Sequence, residues 1–195
     1  TGEVARQFDA GRGTGKKDMA ANFAAMAAEF AGVPVTYVPK VKVGVVGEIY
    51  VKYSPLGNNG LEQFLAGEGC EVNLPGLMGF VQYCIENTGE TIRLYGGSGA
   101  VRVGAGALQN WLSSREKLMI SAIARYPQFH APTPFKATKA MADGVIGYGN
   151  KMGEGWLLTA EMMELVHTGF ENIVCAQPFG CLPNHICGKG MINKI

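Results

Sequence analysis

The side chains best suited to chemistry lie in the closing stretch CAQPFGCLPNHICGKGMINKI, from Cys175 to Ile195. The apolar, β-branched run Asn172–Ala176 predicts a buried strand. It breaks at Gln177-Pro178-Phe179-Gly180, and a helix restarts at Pro183, where a first-turn proline gives up no hydrogen bond. Cys181 then falls on a strand-to-helix turn, near the positive end of a helix dipole that favours a thiolate. Such a thiol suits a metal ligand or a reactive group better than packing. Cys175, inside the strand, reads as a small buried hydrophobe. Cys187, about a turn and a half into the helix, reads as packing, and His185 as a polar helix residue. The C-x5-C-x5-C spacing matches neither zinc ribbons nor bacterial ferredoxins. His130 and His167 have no triad spacing with any serine.

Three glycine-containing stretches carry weaker signals. GRGTGKK at 11–17 resembles a phosphate loop but has Lys17 where Ser or Thr is needed, is one residue short, and follows no strand. GVVGEIYVKYSPLGNNG, Gly44 to Gly60, is a strand leading through a loop into a helix, without the three-glycine dinucleotide fingerprint. Glu48, Lys52, Asn58 and Asn59 lie beyond the carboxyl end of that strand, where open α/β sheets place ligands; the alternative is an ordinary turn with asparagine caps. GNKMGEGWLLTAEMM, Gly149 to Met163, puts Glu154 and Trp156 in a glycine-rich loop. That suits a lid or substrate contact, or else Trp156 anchors the core and Glu154 is solvated.

The elements that must position these residues alternate strand and helix. Strands are predicted at 41–47, 70–74 and 171–176. Helices are predicted at 20–31, 59–68, 77–86, 108–124, 134–148 and 159–167, with 1–16 poorly ordered and 88–106 irregular. This pattern implies an α/β fold, a parallel sheet with helices on both faces in three layers, Rossmann- or flavodoxin-like. Residues 1–40 form an N-terminal extension with one helix, and 41–195 the α/β lobe. Net charge is +1, too balanced for a nucleic-acid binder. No apolar run reaches the ~18 to 20 residues of a membrane span, and no signal peptide opens the chain. Five cysteines, an odd number in a chain this large, favour a reducing, cytoplasmic compartment. A start without methionine and an end inside a predicted helix read as a piece of something longer.

KVGVVGEIYVKYSPLGNN, YPQFHAPTPF, GNKMGEGWLLTAEM and NIVCAQPFGCLPNHICGKGM together resemble the 2-hydroxyacyl-CoA dehydratase superfamily, and within it the large CoA-substrate-specific enzyme activases. The likeness runs over 42–195. It implies an oxygen-sensitive iron–sulfur protein that holds a 4Fe–4S or double-cubane cluster between α/β lobes. An ASKHA-type ATPase activator supplies one low-potential electron, and a ketyl radical lets water leave the acyl-CoA substrate. The resemblance places the ligand contributed by this lobe at Cys181, with further ligands on a lobe outside the chain. Cys187 stands where a small aliphatic residue is expected. Glu48, Asn58, Asn59 and Glu154, by their places in the two loops read above, are the candidate cofactor-binding residues. The second reading is a structural docking domain of a large activase, with no cluster of its own.

Overall fold

The computed structural model describes residues 2–195. In chain order the elements are α1 (Gly2–Asp9), α2 (Lys16–Ala31), β1 (Val41–Gly47), α3 (Ile49–Tyr53), α4 (Pro55–Asn58), α5 (Leu61–Gly67) and β2 (Cys70–Asn73). Then come α6 (Leu77–Tyr95), α7 (Gly99–Ile123), α8 (Phe135–Met141), α9 (Gly155–His167), β3 (Asn172–Ala176) and α10 (Leu182–Cys187), closed by a 3-10 turn at Lys189–Met191. They divide into two compact units. One is the segment through Val38 with Ala107–Pro134; the other is Pro39–Gly106 with Phe135–Ile195.

The second unit holds a three-stranded sheet in the order β2-β1-β3, and both pairings are parallel. The three expected strands form within a residue or two of their expected bounds. Val41 pairs with Cys70, and Val43 with Asn172, which sets the register along the sheet. The central strand is buried from Val43 to Gly47. Such an unbroken apolar run, rather than alternation, is what a parallel strand covered on both faces requires. Val46 packs with Leu158, Met162 and Leu165 of α9 and with Phe170, while Val45 faces a small void shared with Tyr53, Leu61 and Val72. Helices flank the sheet, α9 against β1 and β3, α3 against β1, and α5 against β2.

Several expected boundaries need correction. The N-terminal segment carries two helices rather than one, and clusters with 107–134. Residues 2–9, expected to be poorly ordered, are helical, with Arg6 donating to Glu3 at 2.9 Å one turn away. The stretch 88–106 is helical except at 96–98. Its glycines each cost about 1 kcal/mol in a helix, but Glu90 bonds Arg93 at 2.6 Å and Lys139 at 2.7 Å, fixing that part of α6 in tertiary contacts. The helix expected over 134–148 stops at Met141, because the chain turns back so that the Tyr148 hydroxyl donates to the Lys139 carbonyl at 3.0 Å. The helix expected at 59–68 forms as α5, starting at Leu61 because Asn59 and Gly60 before it are left-handed, at φ 55° and 68°; a further short helix, α4, precedes it. Among the described residues no helix is long and apolar enough to cross a membrane.

Candidate functional site

In the order β2-β1-β3, the connection leaving β1 runs to one side and β3 lies on the other. The gap beyond the carboxyl ends of β1 and β3 is therefore a topological switch point, where open parallel sheets leave a crevice. Gly47 and Ala176, the last residues of these strands, are register partners, and the Glu48 N–H donates to the Ala176 carbonyl at 3.0 Å. Gly47 has φ 143°, and a Cβ there would lie 1.8 Å from that carbonyl oxygen. Only glycine allows the strands to end this close together.

Glu48 caps the helix that follows. Its carboxylate accepts from the Val51 N–H at 2.8 Å. Asn58 ties the next turns together: its Nδ2 donates to the Val51 carbonyl at 2.8 Å, and its Oδ1 accepts from the Leu61 N–H at 3.0 Å. Asn59 supplies the left-handed turn before α5. Lys52 points inward, 5% exposed, and donates to Glu161 of α9 at 3.1 Å. Burial pushes the Glu161 carboxyl up in spite of the Lys52 ammonium beside it. The asparagine-cap alternative thus describes this loop well.

The second stretch differs from both of its expected forms in one respect. Trp156 is fully buried, as a core anchor should be, with rings of Tyr83 and Tyr148 at 5.0 and 5.1 Å and its indole N–H donated to Asn87 at 2.9 Å. Glu154, however, is neither an exposed contact nor a solvated residue; it is 6% exposed. The loop that carries it is pinned, because the Tyr83 hydroxyl lies 2.8 Å from the Lys151 carbonyl and 3.0 Å from that of Gly153. Burial drives the Tyr83 phenol up, keeping it a neutral donor. Gly155, at φ 45°, completes the turn into α9; a Cβ there would meet the Asn150 carbonyl oxygen at 2.2 Å.

The three loops meet through Glu154. One carboxylate oxygen accepts from the Ile49 N–H at 2.8 Å, and the other accepts from Asn184 Nδ2 at 3.4 Å. The same Nδ2 donates to Cys181 Sγ at 3.0 Å. A carboxylate only accepts, so Glu154 fixes which end of the Asn184 amide faces Cys181. Cys181 is the N-cap of α10, with Pro183 in the first turn, and it is half-buried. Cys175, expected to be buried, is half-buried beside Asn184 Oδ1 at 3.9 Å. Burial, then Cys181 and Glu154, pushes its thiol up to about 11. Cys187 packs in the core at 3% exposure, and burial raises its thiol as well.

Glu154 and Cys181, on different loops, are thus joined in one hydrogen-bonded network through Asn184, with the loop after β1 bound to it through Ile49. The side-chain polar atoms of Glu48, Asn58 and Glu154 engage partners inside the fold. Asn184, fully buried, escaped the sequence reading. The available signal was its place three residues after Cys181, where a helix N-cap and its third helical residue face each other. Among the described residues, no three His, Cys, Asp or Glu side chains converge to hold a metal ion. No family model, curated protein or solved structure matches the chain.

Proposed function

We propose that this chain is a lobe of an anaerobic iron–sulfur protein related to 2-hydroxyacyl-CoA dehydratases and their activases. It serves low-potential electron transfer or radical acyl-CoA chemistry in the cytoplasm, on a three-layer, flavodoxin-like α/β framework. Cys181 supplies one thiolate to a 4Fe–4S or related cluster. The other ligands come from the remaining lobe or lobes, and the electron from an ASKHA-type ATPase activator. The observation that carries this reading is the position of Cys181: half-exposed, on the first turn after β3, beside the switch point of a parallel sheet. Its donor chemistry fits. Cluster thiolates accept hydrogen bonds that tune potential, and the Asn184 amide already points one at Cys181 Sγ. A cluster supplies one-electron chemistry; the residues here would hold one sulfur and shield one side of it. One thiol cannot hold a cubane, so a complete site needs ligands beyond these residues.

The second reading, a docking domain of a large ATP-dependent activase, has its own support. The candidate polar groups Glu48, Asn58 and Glu154 beside the switch point are engaged inside the fold. Iron and sulfide analysis of the anaerobically purified full-length protein separates the two. The cluster reading expects stoichiometric iron that Cys181→Ala loses. A Cys181→Ala protein with its full iron content, or a wild-type protein without iron, leaves the docking reading.

A further inference from the structure

Two thiols stand beside the switch point, Cys175 at the end of β3 and Cys181 at the start of α10. Both are half-buried, so exposure does not decide which of them takes a metal. What differs is the end of the Asn184 amide that each one meets. The buried Nδ2 of Asn184 donates to Cys181 Sγ at 3.0 Å, while its Oδ1 accepts from the Cys175 thiol at 3.9 Å. An asparagine that turned over would exchange the two ends. Glu154 prevents this. Its carboxylate accepts from the same Nδ2 at 3.4 Å and is itself held by the Ile49 N–H at 2.8 Å. A turned amide would set a carbonyl oxygen against a buried carboxylate, with no proton between them.

A thiol and a metal-bound thiolate ask for opposite partners. The thiol carries an S–H that donates; the thiolate has lost that proton and only accepts. An amide N–H aimed at a ligating sulfur stabilises it and tunes the metal, whereas a carbonyl oxygen in the same place repels its charge. We propose that Asn184, its polarity fixed by Glu154, is the positioning residue that selects Cys181 rather than Cys175 as the thiolate ligand. Cys175, facing the acceptor end of the same amide, stays a protonated, metal-free neighbour. This rests on the cluster reading above and adds to it the reason that one cysteine of the pair is the ligand.

The probe is methylmercury, which replaces the proton of a single thiol with an S–Hg bond and needs no second ligand. A carbon-13 label on its methyl group gives one NMR signal for each occupied cysteine, assigned with Cys181→Ala and Cys175→Ala. Less than one equivalent is added to the metal-free full-length protein, and the ratio of the Cys181 signal to the Cys175 signal is read at equilibrium. Wild type should favour Cys181 by about tenfold or more, since a donor faces one sulfur and an acceptor the other. Asn184→Leu removes both ends of the amide at similar volume and should cut that preference about tenfold; Glu154→Gln, which frees the amide to turn, should cut it roughly three- to tenfold. The double variant Glu154→Gln, Asn184→Asp rebuilds a bond between the two side chains but offers Cys181 only carboxylate oxygens. It should keep the fold and still lose the preference, which a purely structural role would not produce. Thr159→Val removes the hydroxyl donated to the Cys187 carbonyl at 2.7 Å, loosening the far end of α10 without touching the amide, and should leave the ratio unchanged. A wild type without preference for Cys181, a wild-type ratio in the Glu154 and double variants, or an equal fall in Thr159→Val overturns the proposal. If Asn184→Leu fails to fold, the other variants decide. Protein without iron but with a ratio that moves as expected ends the cluster reading and leaves the selection between the thiols standing. Iron lost with Cys181→Ala, together with an unmoved ratio, ends the selection alone.

Discussion

Replacing Glu154 by glutamine tests whether the network at the switch point is held by charge-assisted bonds. The shape is kept, but the side chain now has one acceptor and one donor for two neighbours that both donate. If the amide oxygen stays on the Ile49 N–H, at 2.8 Å in the wild type, that bond becomes neutral and loses about 1 kcal/mol. The amide nitrogen then faces Asn184 Nδ2, fully buried and 3.4 Å away, and a buried donor without its acceptor costs about 1 to 2 kcal/mol. The sum is about 2 to 3 kcal/mol. Asn184→Asp alone sets two buried carboxylates face to face and should cost at least as much. The double variant Glu154→Gln, Asn184→Asp reverses the polarity of the contact, since the glutamine amide now donates to a carboxylate. It should be more stable than the summed single losses by about 1.5 kcal/mol or more. Urea unfolding at constant m-value measures all four corners of the cycle. Losses that add to within about 0.5 kcal/mol would refute the coupling and with it the network.

Three further outcomes follow from the same geometry. Gly47→Ala puts a Cβ into the Ala176 carbonyl oxygen at positive φ, and should cost about 3 kcal/mol or more, read as a lower urea midpoint or as insoluble protein. The fold holds the Cys175 thiol neutral up to about 11, against about 8.5 in an unfolded chain. Its contribution is therefore complete below about pH 8.5 and is lost as pH rises towards 11; the stability difference between wild type and Cys175→Ala, followed across that range, should shrink, and a flat difference refutes it. Iodoacetamide labelling followed by mass spectrometry should modify Cys181 before Cys175 and Cys187, because Cys181 is half-exposed while the other two thiols are raised by burial; labelling of Cys187 first would contradict the packing.

The sheet was legible because its strands are short, β-branched and bounded by glycine or proline, and because helix between strands forces parallel pairing. Val41–Gly47 and Asn172–Ala176 carry that signal undiluted. Glycine-rich 88–106 was misread because propensity counts each glycine against a helix, while the contacts that hold α6, such as Glu90 with Lys139, join residues 49 apart. The turn at Cys181 could be read locally, since strand, proline and cap all lie within ten residues. The burial of Glu154 could not. A glutamate between glycines looks solvated, and what buries it is the Tyr83 hydroxyl from α6 and the amide of Asn184, 30 residues downstream. Asn184 itself has no local signal beyond its place in the first turn of α10.

The strand order also sets a timetable for synthesis. The first partner of β1 is 29 residues on, where Val41 meets Cys70, but the second is much farther, with Asn172 bonding the Lys42 carbonyl across 130 residues. At about 5 to 20 residues per second, a nascent chain waits roughly 6 to 26 s between making the middle strand and making the strand that covers its other edge. For that interval the valine-rich edge of Val43–Val46 is open to pairing with other chains. Expression at low temperature lengthens the wait, so yield of folded protein should respond more to chaperones that shield extended segments than to slower translation.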